Sequence, residues 1–278
     1  MVELDGCTVR PWPTVRNAVV TLLEQHREHT VYGSTEVDFT LAAERISKCT
    51  RNTGLALSHH SYILHCLALA AAEQPAAVTF KRGNKLVTFT EIDVGTVIEK
   101  PVRGAGKVPV GYIFRAAQSR TLAETNSELR EACRSTLEDD PLVRWRRRMA
   151  KMPLPIRRLQ AARIKRDPLL LKKYHGVIGL TNVQMRGLDQ PFFGFPTQIY
   201  TITVAVGSLI NKVQWCASGG TVTRKMLCLT AGADHAVIDG MGMARFAQSF
   251  SRYIESGTSL NDDYVEATRK LCIKRGRA

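Results

Sequence analysis

Long apolar runs are missing from this chain. None approaches the roughly 18 consecutive apolar residues that a membrane-spanning helix needs. The N-terminus, Met1-Val2-Glu3-Leu4-Asp5, lacks the basic-then-apolar order of a secretory signal. Cysteine is present without pattern. The seven residues Cys7, Cys49, Cys66, Cys133, Cys216, Cys228 and Cys272 are odd in number, and no two have CxxC spacing. That excludes a zinc ribbon and offers no disulfide framework. They read as reduced, mostly buried thiols, so the expectation is a cytoplasmic protein with no metal site. Acidic residues are scarce in one place only. Between Arg144 and Lys173 there are twelve basic residues and one acid, Asp167, a local +11 out of a total of +14. The remainder carries +3, so the basicity belongs to one segment and says little about the rest.

What is present is ordinary globular material, with 44% hydrophobic residues in 278, enough for a self-sufficient core. Helical spacing predicts a helix over 14–28, a second over 41–48, and a strongly apolar one over 58–72 that ends before Pro75. Thr35–Thr40 reads as a short strand. Residues 78–89 read as a hairpin turning at Gly83-Asn84, and 92–99 with 108–115 as two more strands. The loop between those two holds Gly104-Ala105-Gly106-Lys107. It is not a phosphate-binding loop, because no Ser or Thr follows the lysine and no glycine stands five before Gly106. A polar amphipathic helix is expected over 121–137. The basic segment then predicts two short amphipathic helices broken at Met152–Pro155. Strands follow at 176–182 and 198–206, with a final hairpin of 212–216 and 222–230 about Ser218-Gly219-Gly220. A helix is expected over 243–253. One domain spans 1–278, with a basic amphipathic insertion at about 141–173 and a peripheral tail at about 257–278.

The stretch with chemistry in it is Asp234-His235-Ala236-Val237-Ile238-Asp239-Gly240, at a strand-to-helix turn. It resembles the His-x-x-x-Asp-Gly signature of the chloramphenicol acetyltransferase-like superfamily, which includes the catalytic domains of 2-oxo acid dehydrogenase acyltransferases. Three other blocks agree in order. Thr35-Glu36-Val37-Asp38-Phe39-Thr40 is similar to the family's early strand. Gly176 to Asn182, ending Leu180-Thr181-Asn182, is similar to its Gly-Thr-Phe-Thr-Ile-Ser-Asn strand. Val213–Thr230 and Met243-Ala244-Arg245-Phe246 resemble its last hairpin and the start of its last helix. The likeness runs from about residue 33 to residue 256.

The resemblance implies an α/β fold, a mixed and mostly antiparallel sheet flanked by helices. It implies acyl transfer between coenzyme A, or another thiol carrier such as a dihydrolipoyl group or acyl carrier protein, and an acceptor. His235 would be the general base, as a neutral imidazole suits that role. Thr181 would give its hydroxyl to the oxyanion. Asp239 would brace the site by pairing with an arginine, and Gly240 would let the chain turn into the helix. No tightly bound cofactor and no covalent enzyme intermediate are implied. The family's sites lie between subunits of a trimer, so a homotrimer is expected.

The chain also departs from the family. Dehydrogenase acyltransferases usually carry arginine after the histidine, where this chain has Ala236. Chloramphenicol acetyltransferases have a second histidine where it has Asp234. Residues 1–32 have neither the length nor the composition of a lipoyl or subunit-binding domain, so a free-standing acyltransferase is the expectation. The alternative is a non-catalytic scaffold or binding protein that kept the fold. His59-His60 point about 100° apart on a helix and make a poor ligand pair. For the basic segment three readings stand. It is a solvated helix pair packed on its own domain, a dock for an acidic carrier protein or coenzyme A phosphates, or, through 144–166, an attachment to an anionic membrane surface. Nucleic-acid binding has the charge but no recognised module or aromatic interleaving.

Overall fold

The computed structural model describes residues 2–4, 7–9, 12, 14, 16–102, 106–136, 141–183, 189–215 and 219–276. In chain order these form β1 (Val2–Leu4), β2 (Cys7–Val9), α1 (Arg16–Leu23), β3 (Thr30–Asp38), α2 (Thr40–Thr53), α3 (His59–Glu73), β4 (Thr79–Arg82), β5 (Lys85–Thr88), β6 (Val94–Val102) and β7 (Gly106–Phe114). Then come α4 (Leu122–Arg134), α5 (Pro141–Lys151), α6 (Leu154–Arg166), α7 (Pro168–Tyr174), β8 (Ile178–Asn182), β9 (Ile202–Trp215), β10 (Thr221–Asp234), α8 (Gly240–Glu255) and α9 (Asp262–Gly276).

A six-stranded sheet, in the order β3-β10-β9-β8-β6-β7, organises the molecule. Three of its five pairings are antiparallel, and the short β8 runs parallel to both its neighbours. This is the mixed, mostly antiparallel α/β class that the sequence implied. The core lies between this sheet and α3. That helix is mostly apolar and buried nearly all round, with Tyr62, Ile63, Leu64, Cys66, Leu67 and Ala68 all covered, as expected of a helix with little solvent face. Ser58 caps its start by accepting the Ser61 N–H at 3.0 Å. The Tyr62 hydroxyl donates to the carbonyls of Tyr253 and Ile254, both at 2.9 Å, tying α3 to the end of α8.

Three elements differ from expectation. The strands placed at 198–206 and 212–216 are one 14-residue strand, β9, which runs straight through Gly207-Ser208; the register shift falls opposite, between Leu227 and Leu229. A side chain at Gly207 would strike the Phe192 carbonyl at 1.9 Å, so the glycine there permits a close crossing and does not end the strand. The tail expected to be peripheral forms α9, which packs on α4 and α2 and buries Tyr264 and Val265. The basic segment breaks at Met152-Pro153 as its prolines require, and a third helix, α7, follows. Ser218 of the last hairpin turn, Gly104 and Ala105, Leu137 and Gly187 lie outside the described residues.

Candidate active site

The turn that carries His235 is built on Asp234. As the last residue of β10, Asp234 donates its N–H to the Thr201 carbonyl at 2.9 Å. Its own carbonyl accepts the N–H groups of Val237 and Ile238 at 3.0 and 3.1 Å, and its carboxylate accepts that of Ala236 at 3.1 Å. One aspartate thus closes the turn from both sides, as short polar side chains do at such corners. His235 donates its N–H to the His29 carbonyl at 2.7 Å, which fixes where the residue leaves the sheet. Its imidazole is exposed and bonds to no described residue.

Arg27 stands behind this turn, with its Nε 3.9 Å from the buried Asp234 carboxylate. That is an ion pair at its outer limit, longer than a hydrogen bond. The same Nε donates to the Ile199 carbonyl at 3.3 Å, and the guanidinium lies 5.9 Å over the Phe80 ring. Burial holds the Arg27 pKa below its ordinary value, and the Asp234 charge opposes that shift. Arg27 thus pairs with Asp234 and not with Asp239. Asp239 does something else: its Oδ1 accepts the Gly242 N–H at 2.7 Å and caps α8. No ion pair joins it to an arginine among the described residues. Gly240 has open space around it, so the turn does not require a glycine there. Gly242 is the constrained position, because a Cβ on it would come within 2.7 Å of the Ile238 side chain.

Thr181 is half-buried near the end of β8. Its distance from His235 follows from register. Thr181 stands opposite Ala205 of β9, and Ala205 opposite Thr230 of β10. His235 is therefore two strands over and five residues further on. At ~3.4 Å per residue and ~4.8 Å per strand the two backbones are about 20 Å apart. One chain does not bring the two residues together. Two surface clefts open elsewhere, one by Asn52, Asp262 and Arg269, the other by Ala123, Arg130 and Tyr264; neither is lined by His235, Thr181 or Asp239. Among the described residues no group of three or more His, Cys, Asp or Glu could hold a metal ion. None of the described helices is long and apolar enough to cross a membrane.

Large apolar side chains are exposed on this sheet and on the connection before β9. Val213 and Trp215 share one face of β9 where the hairpin leaves the core, at 65% and 84% exposure. Phe195, 66% exposed, meets Tyr32 edge-on at 5.4 Å, and Tyr32 crowds Gly232, three residues before His235.

Strand order and the capped turn match the fold of solved acyltransferase catalytic cores. The particular family the chain resembles is the 2-oxoacid dehydrogenases acyltransferase (catalytic domain), whose model matches residues 180–261. Among solved structures, a probable dihydrolipoamide acetyltransferase from Listeria monocytogenes is 17% identical over 90% of this chain and 95% of that one, with a TM-score of 0.64. The cubic core of a pyruvate dehydrogenase multienzyme complex is 16% identical over 94% and 98%, with a TM-score of 0.62. The dihydrolipoamide acetyltransferase of Azotobacter vinelandii has the same figures, and there a serine, a histidine and an asparagine were investigated for their role in the catalytic mechanism. No curated protein matches the chain.

Proposed function

We propose that the protein transfers an acyl group between coenzyme A, or another thiol carrier, and an acceptor nucleophile, at a site completed by a neighbouring subunit. The observation that carries this reading is the family match over 180–261, which spans both the Thr181 strand and the His235 turn. His235 takes the proton of the attacking thiol or hydroxyl as the new bond to the acyl carbon forms. The Thr181 hydroxyl of the neighbouring subunit donates to the resulting oxyanion. Collapse expels the carrier thiolate, which takes the proton back from the imidazolium, and His235 is neutral again. Asp239 acts at one remove by holding the start of α8, and through it the turn. For the serine, histidine and asparagine studied in the Azotobacter protein this chain offers Thr181, His235 and Asp239.

Two features support the shared site. The two groups are about 20 Å apart within one chain, too far to act on one carbon. The exposed Val213, Trp215 and Phe195 are the kind of apolar surface that an interface covers. A homotrimer, as in the family, satisfies both. Purified protein is incubated with a panel of acyl-CoAs and acceptor thiols, and thiol release is followed. Turnover is expected with at least one pair, with His235→Ala slower by about 10²–10⁴. Equal turnover by the variant would remove the base from the account.

A second reading, a scaffold that kept the fold, draws on the exposed imidazole of His235 and on Ala236 beside it. It requires no turnover with any thioester while the oligomer still forms.

A further inference from the structure

We infer that the α5–α6 corner is a docking surface for an anionic lipid bilayer, a role separate from acyl transfer. Half of the cations in the basic segment are committed to the fold. Arg146 donates to the carbonyls of Gly111 and Tyr174, and Arg157 to those of Met152 and Asn17. Arg158, Lys165 and Lys172 pair with Glu24, Glu28 and Glu91. Lys173 lies over the Tyr174 ring.

The other six face solvent. Arg144, Arg147, Arg148 and Lys151 are exposed and fall three, four and seven residues apart from the first, which makes one stripe along α5. None of them pairs with an acid among the described residues. Glu138, Asp139 and Asp140, just before α5, lie outside those residues. With them counted, 138–173 still holds twelve basic and four acidic residues, a net +8. Like charges stacked along one helix face repel one another, so a polyanionic partner relieves the stripe.

Charge alone fits several partners; the apolar side chains choose among them. On α6, Ile156, Leu159, Arg163 and Arg166 share the outward face, opposite the buried Arg157, Ala161 and Ile164. Leu159 is 61% exposed, and Met152 and Leu154 at the corner are exposed as well. Trp12, also 61% exposed, is held beside the corner: its indole donates to Asn17, and Asn17 donates to the Ala150 carbonyl. Aliphatic residues interleaved with arginines and edged by a tryptophan match a bilayer interface, where stems and rings sink while guanidiniums meet lipid phosphates. Nucleic acid or free phosphate offers nothing to Ile156 and Leu159. A second copy of this surface would oppose like charge to like.

The full-length protein is mixed with vesicles of phosphatidylcholine, alone or with phosphatidylglycerol, and sedimented. Binding is expected only to the anionic vesicles and is expected to weaken with salt. Arg144→Gln/Arg147→Gln/Arg148→Gln should lower the partition coefficient about a hundredfold, at about fivefold per cation. Ile156→Ser/Leu159→Ser should abolish the binding that survives raised salt. Brominated lipid should quench tryptophan fluorescence in the wild type but not in Trp12→Phe. The arginine, isoleucine and leucine side chains of these variants are exposed, so their circular dichroism and melting temperature should be unchanged and serve as the folding control. Equal sedimentation on neutral and anionic vesicles, full binding by the folded triple variant, or capture by an acidic carrier protein with no vesicle binding would each overturn the proposal.

Discussion

At the scale of single residues, the position of His235 is set by its neighbours. Asp234 closes the turn and Arg27 stands behind it, so removing the arginine leaves a buried carboxylate with its charge uncompensated. Arg27→Met is expected to lower stability by about 1–3 kcal/mol, read as a lower denaturant midpoint with an unchanged slope. An unshifted midpoint would show that the 3.9 Å pair contributes nothing. Buried histidines give the molecule a pH signature. Desolvation lowers the pKa of His60 and His65 to about 4, and burial with the nearby Arg146 lowers that of His175 to about 3. These rings are neutral in the folded state, whereas in the unfolded chain they titrate near ~6.5. As pH falls below that value the unfolded chain binds protons first, so stability is fully present above it and is lost as pH falls. The loss levels off only once the folded rings protonate, near pH 4 for His60 and His65 and nearer 3 for His175. Melting temperature should therefore drop between roughly pH 6.5 and 5, before most carboxylates titrate, and His65→Gln should flatten that slope. A flat wild-type profile in that window would contradict the burial. His235 and Asp239 stand out in the sequence because a short motif at a strand-to-helix turn carries its own context, although Asp239 caps α8 and pairs with no arginine among the described residues; Thr181 stands out only through the resemblance of its strand. The Arg27–Asp234 pair does not stand out. Its members are some two hundred positions apart, and nothing local to either names the other.

At the scale of elements, proline was a dependable guide and glycine was not. Pro153 broke the basic segment where expected, because a proline cannot continue the helix that precedes it. The strand expected over 198–206 stops short of Gly207, yet β9 passes through it, and the glycine answers to the Phe192 carbonyl, which crosses too closely for any side chain. At the motif the constrained glycine is Gly242, two residues past its end and beside Ile238, while Gly240 stands in open space. The C-terminal segment read as a tail because its charges hide a narrow apolar stripe. Tyr264, Val265 and Thr268 are buried at helical spacing, and that pattern was present in the sequence. If α9 is structural, Tyr264→Ala should cost about 3–5 kcal/mol, as truncation of a buried aromatic does. A cost within the ~0.5 kcal/mol of surface substitutions would restore the tail.

At the scale of the whole molecule, the sheet places His235 and Thr181 at separate points of one chain, and the exposed Val213, Trp215 and Phe195 mark surface that another copy can cover. The fold class was legible because four motif blocks keep their order along the chain. The separation was not, because it depends on β10 pairing with β9 and β9 with β8, which no local pattern states. Mixing subunits tests the shared site most directly. His235→Ala and Thr181→Val chains, each deficient alone, are co-refolded or co-expressed, and thiol release from an acyl-CoA that the wild type turns over is measured. Sites that join the intact Thr181 of one chain to the intact His235 of another should restore a substantial fraction of wild-type activity. Mixed oligomers no more active than either variant alone would contradict a site shared between chains.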